Sequence, residues 1–392
     1  MAEVNLDRLI DEMAAAVHSD RNAQNARFWR PQPPWARGNW RGLPALQMDG
    51  QVPFIVEPDI SLWSVILGLD IARYWSDPRA YLAGQLQINL HKFKVFRDNT
   101  YFTGEVTPWP GVVFELSLFG IPVVWHEDRG PWIASEPVLK EYADLDKLEI
   151  PDFYKSGLMP RVHEFYARFN ELVKDRLPVI FPDWVFGPFG VAMHLRGMQN
   201  LLMDTILNPE WVQRLLRFIM EAHKDWSKAR ARFIGQPITK AKLYNDEIDG
   251  NVISPELYQS AILAYEQELS AFHDGIVYFH SCGNLTKLLP VIKQIPNLEM
   301  LHVSPWTDVE KALELFAPEV AFDVCLDPVA DVIEASEEQM QGKLAYLVNT
   351  LRGKAAFSIR ADAFQVMNDH PQEDYQKVRR WCEIARKVTG QE

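Results

Sequence analysis

The sequence predicts an α/β protein, with a (β/α)8 TIM barrel over residues 53–392 and an N-terminal extension of helix and loop over residues 1–52. From residue 53 onward, short apolar segments alternate with longer helical patterns, which is typical of a parallel sheet whose strands are connected by helices. About eight such units can be counted, the number that closes a barrel. No G-x-G-x-x-G or P-loop pattern follows a predicted strand, which argues against an open sheet that binds a dinucleotide or a nucleoside triphosphate.

The N-terminal half of the chain predicts an irregular start to this barrel. Apolar residues recur at helical spacing between residues 5 and 17, and a connection rich in Pro and Trp follows over residues 30–44. The barrel then begins with a strand at 53–57 and helices through 60–96. The other elements predicted in this half are extended segments near 101–105, 112–118 and 122–126, a helix near 160–174 and a strand at 178–182.

The C-terminal half predicts a regular alternation of strands and helices. Strands are predicted at 240–245, 276–280, 300–303, 320–324 and 355–359, and helices at 190–207, 209–233, 308–316, 336–351 and 372–389. Another helix opens at Ser254-Pro255-Glu256, because Ser is a favoured N-cap and Pro fits the first helical position. In such parallel folds the carboxyl ends of the strands carry the functional residues.

The overall composition excludes several classes of protein. The net charge of -13 and the pI near 5.3, with acidic residues scattered along the chain, argue against a nucleic-acid or anionic-membrane partner. Three cysteines cannot form a disulfide framework, and residues 1–20 lack the apolar core of a signal peptide. No apolar stretch approaches the roughly 20 residues of a membrane-spanning helix. We therefore expect a cytoplasmic protein and leave open whether it forms a homo-oligomer.

The strongest functional signal is the pair His280 and Cys282 at the end of a predicted strand. Residues i and i+2 of a strand point the same way, so the imidazole and the thiol are aimed at one spot. Cys325 ends a strand two units later, and alternate barrel strands feed the same interior layer, so the three side chains are predicted to converge. Two thiolates and one imidazole suit zinc and leave a position open for substrate. The alternative is structural, since free cysteines are usually buried and a strand-end His is often a core residue.

Other strand ends supply polar and aromatic side chains. Asp246 or Glu247 is a candidate fourth metal ligand or acid–base group, because its strand neighbours that of His280. The further catalytic candidates are Glu105 and Arg360. The substrate-binding candidates are Glu57, Asp59, Trp109, Asp183, Trp184 and Trp306, of which the tryptophans would form an apolar pocket wall. Each also has a structural interpretation, because acidic residues before helices act as caps and single aromatic residues usually pack in the core.

Several short motifs occur in the order and spacing of a known superfamily. They are Gly187-Pro188-Phe189-Gly190, Arg196-Gly197, Asn208-Pro209-Glu210, Ser254-Pro255-Glu256, His280-Ser281-Cys282-Gly283-Asn284 and Asp327-Pro328. With these motifs the chain resembles uroporphyrinogen decarboxylase and the related cobalamin-dependent methyltransferases over nearly everything after residue 53. The resemblance implies a barrel, in agreement with the strand count.

The resemblance implies different chemistry for its two branches. In the methyltransferases, a His-x-Cys pair and a later Cys bind zinc, and His280 and Cys282 match the first two positions. The third ligand falls in the last strand-end loop, where this chain has no Cys, so Cys325 or Asp362 would have to replace it or the site is incomplete. The decarboxylases carry arginines after the first barrel strand to hold a tetrapyrrole, whereas this chain is acidic there, at residues 57–59.

Three functional hypotheses follow from these residues. The first is a zinc-dependent methyltransferase that moves a methyl group between a small substrate, or a thiol, and a corrinoid (cobalamin) carried by a partner protein. Zinc on the three predicted ligands would lower the pKa of the substrate heteroatom. The second is a metal-free decarboxylase or other lyase, in which Arg360 and a carboxylate such as Asp59 or Glu105 orient and protonate the substrate. The third is an inactive barrel that serves as a binding partner in a methyl-transfer complex.

Overall fold

The computed structural model of the chain describes residues 5–31, 42–46, 50–366 and 370–391. Its long strands are β1 (Phe54–Pro58), β4 (Ala241–Tyr244), β5 (Ile276–His280), β6 (Met300–Val303), β7 (Ala321–Cys325) and β8 (Phe357–Phe364). They form one parallel sheet in the order β1-β8-β7-β6-β5-β4. A separate antiparallel pair is formed by β2 (Val123–Val124) and β3 (Trp132–Ile133). The predicted α/β class and its parallel sheet are therefore confirmed.

Two extended segments, 99–106 and 178–187, lie between β1 and β4 without regular strand pairing. Their contacts include the hydrogen bond from Asn99 N to Phe54 O at 3.0 Å and the isolated parallel bridges Val106–Val179 and Phe186–Tyr244. About eight strands were expected from the sequence. In the described part of the chain the parallel sheet has six regular strands, and the two segments join their neighbours through isolated bridges instead of regular strand ladders.

The strands of the sheet are short and almost entirely buried. All residues of β6 and β7 are buried, as expected for strands that are covered on both faces and read as near-continuous apolar runs. His302 in β6 and Asp323 in β7 are the exceptions to this apolar character, with 2% and 0% exposure. Because a buried polar group is costly without partners, these two residues indicate an organised polar interior.

Helices connect the strands. Before β4 the helices are α1 (Leu6–Val17), α2 (Asp20–Ala26), α3 (Ile60–Leu67), α4 (Ile71–Ser76), α5 (Pro78–His91), α6 (Val113–Ser117), α7 (Met159–Val173), α8 (Pro188–Arg196), α9 (Met198–Leu207) and α10 (Pro209–Ile234). After β4 they are α11 (Pro255–Leu257), α12 (Leu263–His273), α13 (Leu289–Ile292), α14 (Val309–Phe316), α15 (Glu337–Leu351) and α16 (Pro371–Val388). The predicted N-cap is confirmed, since Ser254 Oγ accepts a hydrogen bond from Leu257 N at 3.1 Å.

Helix α6 occupies a stretch that was predicted to be extended. The prediction for residues 112–118 is wrong, because Val113–Ser117 form a helix. All five residues are buried, including Glu115 and Ser117, so the helix has no exposed polar face. Along the sequence apolar and polar residues alternate from Phe114 to Leu118, which is the period of a strand. Glu115 in this helix accepts a hydrogen bond from Val185 N at 2.8 Å, and burial raises its pKa to about 8.

The N-terminal extension packs onto the remainder of the chain through α1. Its apolar residues Leu6, Leu9, Ile10 and Met13 are buried, and α1 contacts α5. The predicted helix over residues 5–17 is confirmed, whereas most of the predicted connection over 30–44 lies outside the described residues. The division of the chain at residue 52 stays a prediction. In the described ranges, no helix combines the length and the apolar character that crossing a membrane requires.

Candidate metal centre

Three potential metal ligands meet at the carboxyl ends of β4 and β5. His280 is the last residue of β5, Cys282 follows two positions later, and Asp246 lies two residues beyond the end of β4. The strand neighbours are held together here, because Asn245 N donates to His280 O at 2.8 Å. His280 Nε2 lies 3.0 Å from Asp246 Oδ1 and 3.4 Å from Cys282 Sγ. All three ligand atoms lie within 4.8 Å of one another.

The arrangement fits a tetrahedral zinc ion. Ligand atoms at about 2.0–2.3 Å from one ion, with tetrahedral angles, lie roughly 3.3–3.6 Å apart, which is close to the two distances found here. Thiolate, imidazole and carboxylate are all zinc ligands, and three protein ligands leave one position for a substrate. Burial disfavours ionisation of Asp246, but the charge and hydrogen bond of His280, a hydrogen bond from Cys282 and the proximity of His302 lower its pKa to about 2. The carboxylate is therefore ionised at neutral pH, as a metal ligand must be.

A hydrogen-bond relay behind His280 determines which of its ring nitrogens faces the cluster. Tyr278 Oη lies 2.9 Å from Asp323 Oδ2 and 3.2 Å from His280 Nδ1. Asp323 is paired with Arg360 and is a hydrogen-bond acceptor, so the hydroxyl of Tyr278 donates its hydrogen bond to Asp323. Tyr278 then accepts a hydrogen bond from His280 Nδ1–H, so Nε2 is the ring nitrogen that faces the cluster. Nε2 lies 3.0 Å from Asp246 Oδ1, a contact bridged by a proton on the imidazole or, once that proton is released, by a metal ion.

The relay continues into a buried network of charges. Arg360, which is 1% exposed, donates from Nε to Asp323 and from a terminal nitrogen to Glu57 Oε2 at 2.7 Å. Glu57 Oε1 accepts a hydrogen bond from Lys92 Nζ at 3.1 Å, and Lys92 lies 3.6 Å from Asp98. Arg360 was predicted as a catalytic residue and Glu57 as a substrate-binding one. The structure places Arg360 between two carboxylates in the interior, where removing one partner would leave an uncompensated charge.

The structure does not bring Cys325 to the cluster. β6 separates β7 from β5, and at the usual strand spacing of roughly 4.8 Å alternate strands lie about 10 Å apart. Cys325 Sγ donates instead to Asp362 Oδ1 at 3.0 Å, at the ends of β7 and β8. Within the described ranges, Asp246, His280 and Cys282 are the one group of three or more potential ligands with this spacing. Asp246, which was predicted with Glu247 as a candidate fourth ligand or acid–base group, is the third member of this cluster.

Glu247 lies beside the cluster but faces α8. Its Oε1 is 2.6 Å from His194 Nε2, whereas its Oε2 is buried and makes no hydrogen bond to any described residue. A Cβ on Gly190 would lie 2.6 Å from that oxygen, so the glycine of the motif permits the close approach of the helix. Glu247 and His194 form a dyad through one carboxylate oxygen, and the other oxygen is buried. A catalytic role for Glu247 stays a prediction.

Asp183 and Glu105 lie near a buried lysine that was not predicted. Asp183 is 2.8 Å from a terminal nitrogen of Arg230 in α10 and 3.8 Å from Lys242 Nζ in β4. Burial lowers the pKa of Lys242, while the charges of Asp183 and Glu105 oppose this shift. Both acidic candidates therefore stabilise a cation in the interior, and their predicted roles in catalysis and substrate binding remain untested.

Trp109 is the tryptophan candidate that reaches a cavity. Together with Glu57 and Glu105, it lines a cavity of about 360 Å³. The ring of Trp109 lies 6.4 Å from that of Tyr244, which in turn lies 5.0 Å from the ring of His280. Tyr244 therefore lies between one wall residue of the cavity and the candidate metal centre.

The remaining substrate-binding candidates have other surroundings. Trp184 is buried and donates from Nε1 to Phe186 O at 3.0 Å, as a packed core residue does. Asp59 caps α3, because its Oδ1 accepts a hydrogen bond from Ser61 N at 2.9 Å. Trp306 is 61% exposed. The structure therefore does not assemble the three predicted tryptophans into one wall.

Three residues of this site escape prediction from the sequence. Tyr278 precedes His280 by two positions, so the strand rule that pairs His280 with Cys282 also places the phenol on the same face. Asp323 is a single charge in an apolar strand, which signals a buried and paired group. His302 lies with its ring 4.2 Å from that of His280, and no local pattern could have placed it there, because it comes from the neighbouring strand β6.

Comparisons with known proteins identify the class to which this fold and site belong. The family model of uroporphyrinogen decarboxylase (URO-D) matches residues 109–387, and the chain belongs to this family. The resemblance stated from the sequence motifs is thereby confirmed.

Two relatives add detail. The chain is 25% identical over 187 residues to the methylated-thiol–coenzyme M methyltransferase of Methanosarcina mazei, a match that covers 47% of this chain and 48% of that protein. The match therefore spans about half the length of this curated relative. The solved structure of a methyltransferase from Methanosarcina mazei aligns with a TM-score of 0.63 and 14% identity, over 87% of this chain and 95% of that chain. At this identity the likeness shows a shared fold.

Proposed function

We propose that the chain is a zinc-dependent methyltransferase that moves a methyl group between a small substrate, or a thiol, and a corrinoid carried by a partner protein. Membership of the URO-D family and similarity to a methyltransferase of Methanosarcina mazei support the class of reaction. Asp246, His280 and Cys282 would hold the metal. The six strands and the two bridged segments would act as one closed (β/α)8 barrel around it.

The observation that carries this proposal is the meeting of a thiol, an imidazole nitrogen and an ionised carboxylate at one strand-end site. The relay through Tyr278 supports the proposal, because it holds Nδ1 of His280 and leaves Nε2 as the ring nitrogen that faces Asp246. A bound zinc ion would lower the pKa of a coordinated substrate heteroatom and make it a better nucleophile or leaving group.

The other residues would position the reactants and handle protons. Tyr278 and Asp323 would hold the His280 ring in its metal-binding orientation. Glu247, whose Oε1 lies 2.6 Å from His194 Nε2, would act with His194 in proton handling near the metal centre. Trp109, whose ring lies 6.4 Å from that of Tyr244, would form part of the wall of the substrate pocket.

Zinc analysis of two matched cysteine variants tests the proposal. The wild type and Cys325→Ser should each retain about one zinc ion per chain, because the thiol of Cys325 bonds to Asp362 and not to the cluster. Cys282→Ser should lose the metal. Zinc retained by Cys282→Ser, or lost from Cys325→Ser, would contradict this ligand set. A wild type that binds no zinc would contradict the metal dependence.

Methyl transfer itself is tested with free cob(I)alamin and candidate methyl donors. The absorption change of cob(I)alamin on methylation should appear with the wild type and be lost with Cys282→Ser. Transfer that survives in Cys282→Ser would contradict a role for the metal centre, and no transfer with any donor class would favour the inactive barrel.

The contacts of Arg360 give the metal-free lyase less support. That alternative uses Arg360 to orient a substrate, but the guanidinium is buried against Asp323 and Glu57. Binding a substrate carboxylate would require breaking at least one of these buried pairs, at a cost of about 3–5 kcal/mol. Activity and thermal stability that are unchanged after complete chelation would nevertheless favour the lyase.

A further inference from the structure

The cavity that Trp109 lines occupies the place where regular strand pairing lapses. β1 and segment 99–106 share the hydrogen bond from Asn99 N to Phe54 O and then separate, and the cavity of about 360 Å³ lies between them and α5. Ligand pockets in proteins measure roughly 300–1,000 Å³ and are mostly apolar, with a few placed polar groups. The cavity has this size and this kind of lining.

The walls are aromatic and held in place. Gln85 of α5 exchanges two hydrogen bonds with the backbone of Thr107, at 2.5 and 3.2 Å, and Tyr81 Oη donates to Trp109 O at 2.6 Å. These bonds fix the segment that carries Trp109 to the helix, so the cavity is formed before a ligand binds. The aromatic side chains that line it are Trp63, Tyr74, Trp75, Tyr81, Phe102 and Trp109. Such walls favour a flat, apolar ligand.

One end of the cavity offers hydrogen-bond donors. Lys92 lines it with a side chain that is 6% exposed, and of its three N–H donors one is used by Glu57 at 3.1 Å, while Asp98 at 3.6 Å is beyond hydrogen-bond distance. Asn89 lies three positions earlier, on the same face of α5, and its half-buried side chain makes no hydrogen bond to any described residue. A ligand oxygen at this end would satisfy both groups.

The charges at this end favour a neutral ligand. Glu57 already accepts from Lys92 at 3.1 Å and from Arg360 at 2.7 Å, so it offers no uncompensated charge to a cation. An anion would meet the carboxylates of Glu57 and Asp98 around the same lysine. Glu105, the other carboxylate of the wall, acts on the buried lysine of β4.

We propose that this cavity binds a neutral aromatic compound that carries an oxygen hydrogen-bond acceptor, with the ring between the tryptophans and the oxygen at Asn89 and Lys92. In the reaction proposed above the compound would be an aryl methyl ether that donates its methyl group: the O–CH3 bond would break, the electron pair of the partner's Co(I) corrinoid would form the new bond to carbon, and the phenolate would leave and take up a proton. This role rests on the proposed function, whereas binding to the cavity does not.

Calorimetric titration of the full chain with 2-methoxyphenol tests the inference. Probes of similar size with a changed charge, N,N,N-trimethylanilinium and 2-methoxybenzoate, should bind at least about tenfold more weakly, because each would bring an uncompensated charge into the cavity. Asn89→Leu should weaken 2-methoxyphenol binding by about fivefold, as expected for one hydrogen bond. The matched control is Gln87→Leu on the same helix, which does not line the cavity and should bind as the wild type does.

The outcomes separate this inference from the metal chemistry. Cys282→Ser should bind 2-methoxyphenol within about twofold of the wild type, because the cavity is formed without the cluster. Zinc binding without saturable binding of 2-methoxyphenol would overturn the cavity inference alone. It would also be overturned if a charged probe bound more tightly, or if Asn89→Leu and Gln87→Leu bound equally. Binding of 2-methoxyphenol by a chain that holds no zinc would support the cavity and refute the proposed metal dependence.

Discussion

Replacing Tyr278 by Phe should weaken zinc binding by about 10- to 100-fold, the usual effect of removing a partner that orients a metal-binding His. The phenol oxygen lies 3.2 Å from His280 Nδ1 and 2.9 Å from Asp323 Oδ2. Without it, the imidazole proton can move to Nε2, where it would bond to Asp246 Oδ1 at 3.0 Å and have to be displaced by the metal. The loss corresponds to about 1.4–2.7 kcal/mol, within the range for one hydrogen bond that involves a charged group.

Competition with a chromophoric chelator at neutral pH measures the zinc affinity, and nitrogen NMR of the imidazole reports which ring nitrogen carries the proton. Ser358→Ala is the matched control, because Ser358 Oγ donates to the other oxygen of Asp323 at 3.1 Å and is not hydrogen-bonded to His280. Its zinc affinity should stay within about twofold of the wild type. Equal affinities for Tyr278→Phe and Ser358→Ala, with the same tautomer in both, would refute the relay.

Two further predictions concern stability. Gly187→Ala should lower the free energy of unfolding by about 1–3 kcal/mol, since the added Cβ would lie 1.8 Å from Asn245 Oδ1; an unchanged midpoint in urea would contradict this. Glu115→Gln should flatten the pH dependence of stability. Burial raises the pKa of Glu115 to about 8, so between pH 4.5 and 8 the folded chain keeps a proton that the unfolded chain releases. The stability that this difference contributes is full below pH 4.5 and is lost as the pH rises toward 8. The loss is up to about 1.4 kcal/mol per pH unit. Urea unfolding across that range measures how steeply the free energy of unfolding falls with pH. The variant should keep a smaller slope, because burial also raises the pKa of Glu266, to about 7. Equal slopes in the wild type and Glu115→Gln would show that Glu115 does not contribute.

Much of the fold could be predicted because its signals are local. The strands of the C-terminal half are short apolar runs between helical patterns, and all five predicted there belong to the parallel sheet. The N-cap at Ser254 follows from the chemistry of one hydroxyl and one backbone amide. Residues 112–118 were mistaken for an extended segment because apolar and polar residues alternate from Phe114 to Leu118, as in a strand, although all residues of the helix are buried.

The candidate site was predicted only in part. His280 and Cys282 are two positions apart at a strand end, so their approach to 3.4 Å follows from the geometry of a strand. The third member depends on which strand ends are neighbours. Cys325 and Asp246 were both reasonable candidates, and the order of strands in the sheet decides between them, because β4 pairs directly with β5 while β7 does not.

The sequence by itself determined the secondary structure of the C-terminal half and the pairing of one imidazole with one thiol, because both depend on residues close together along the chain. Only the tertiary structure decided that Asp246 joins this pair and that Tyr278 and Asp323 stand behind it. The cavity beside α5 also belongs to this level, since it exists where β1 and segment 99–106 separate. These features depend on strand order and on the packing of segments that are remote in the chain. Neither can be derived from the local spacing of residues.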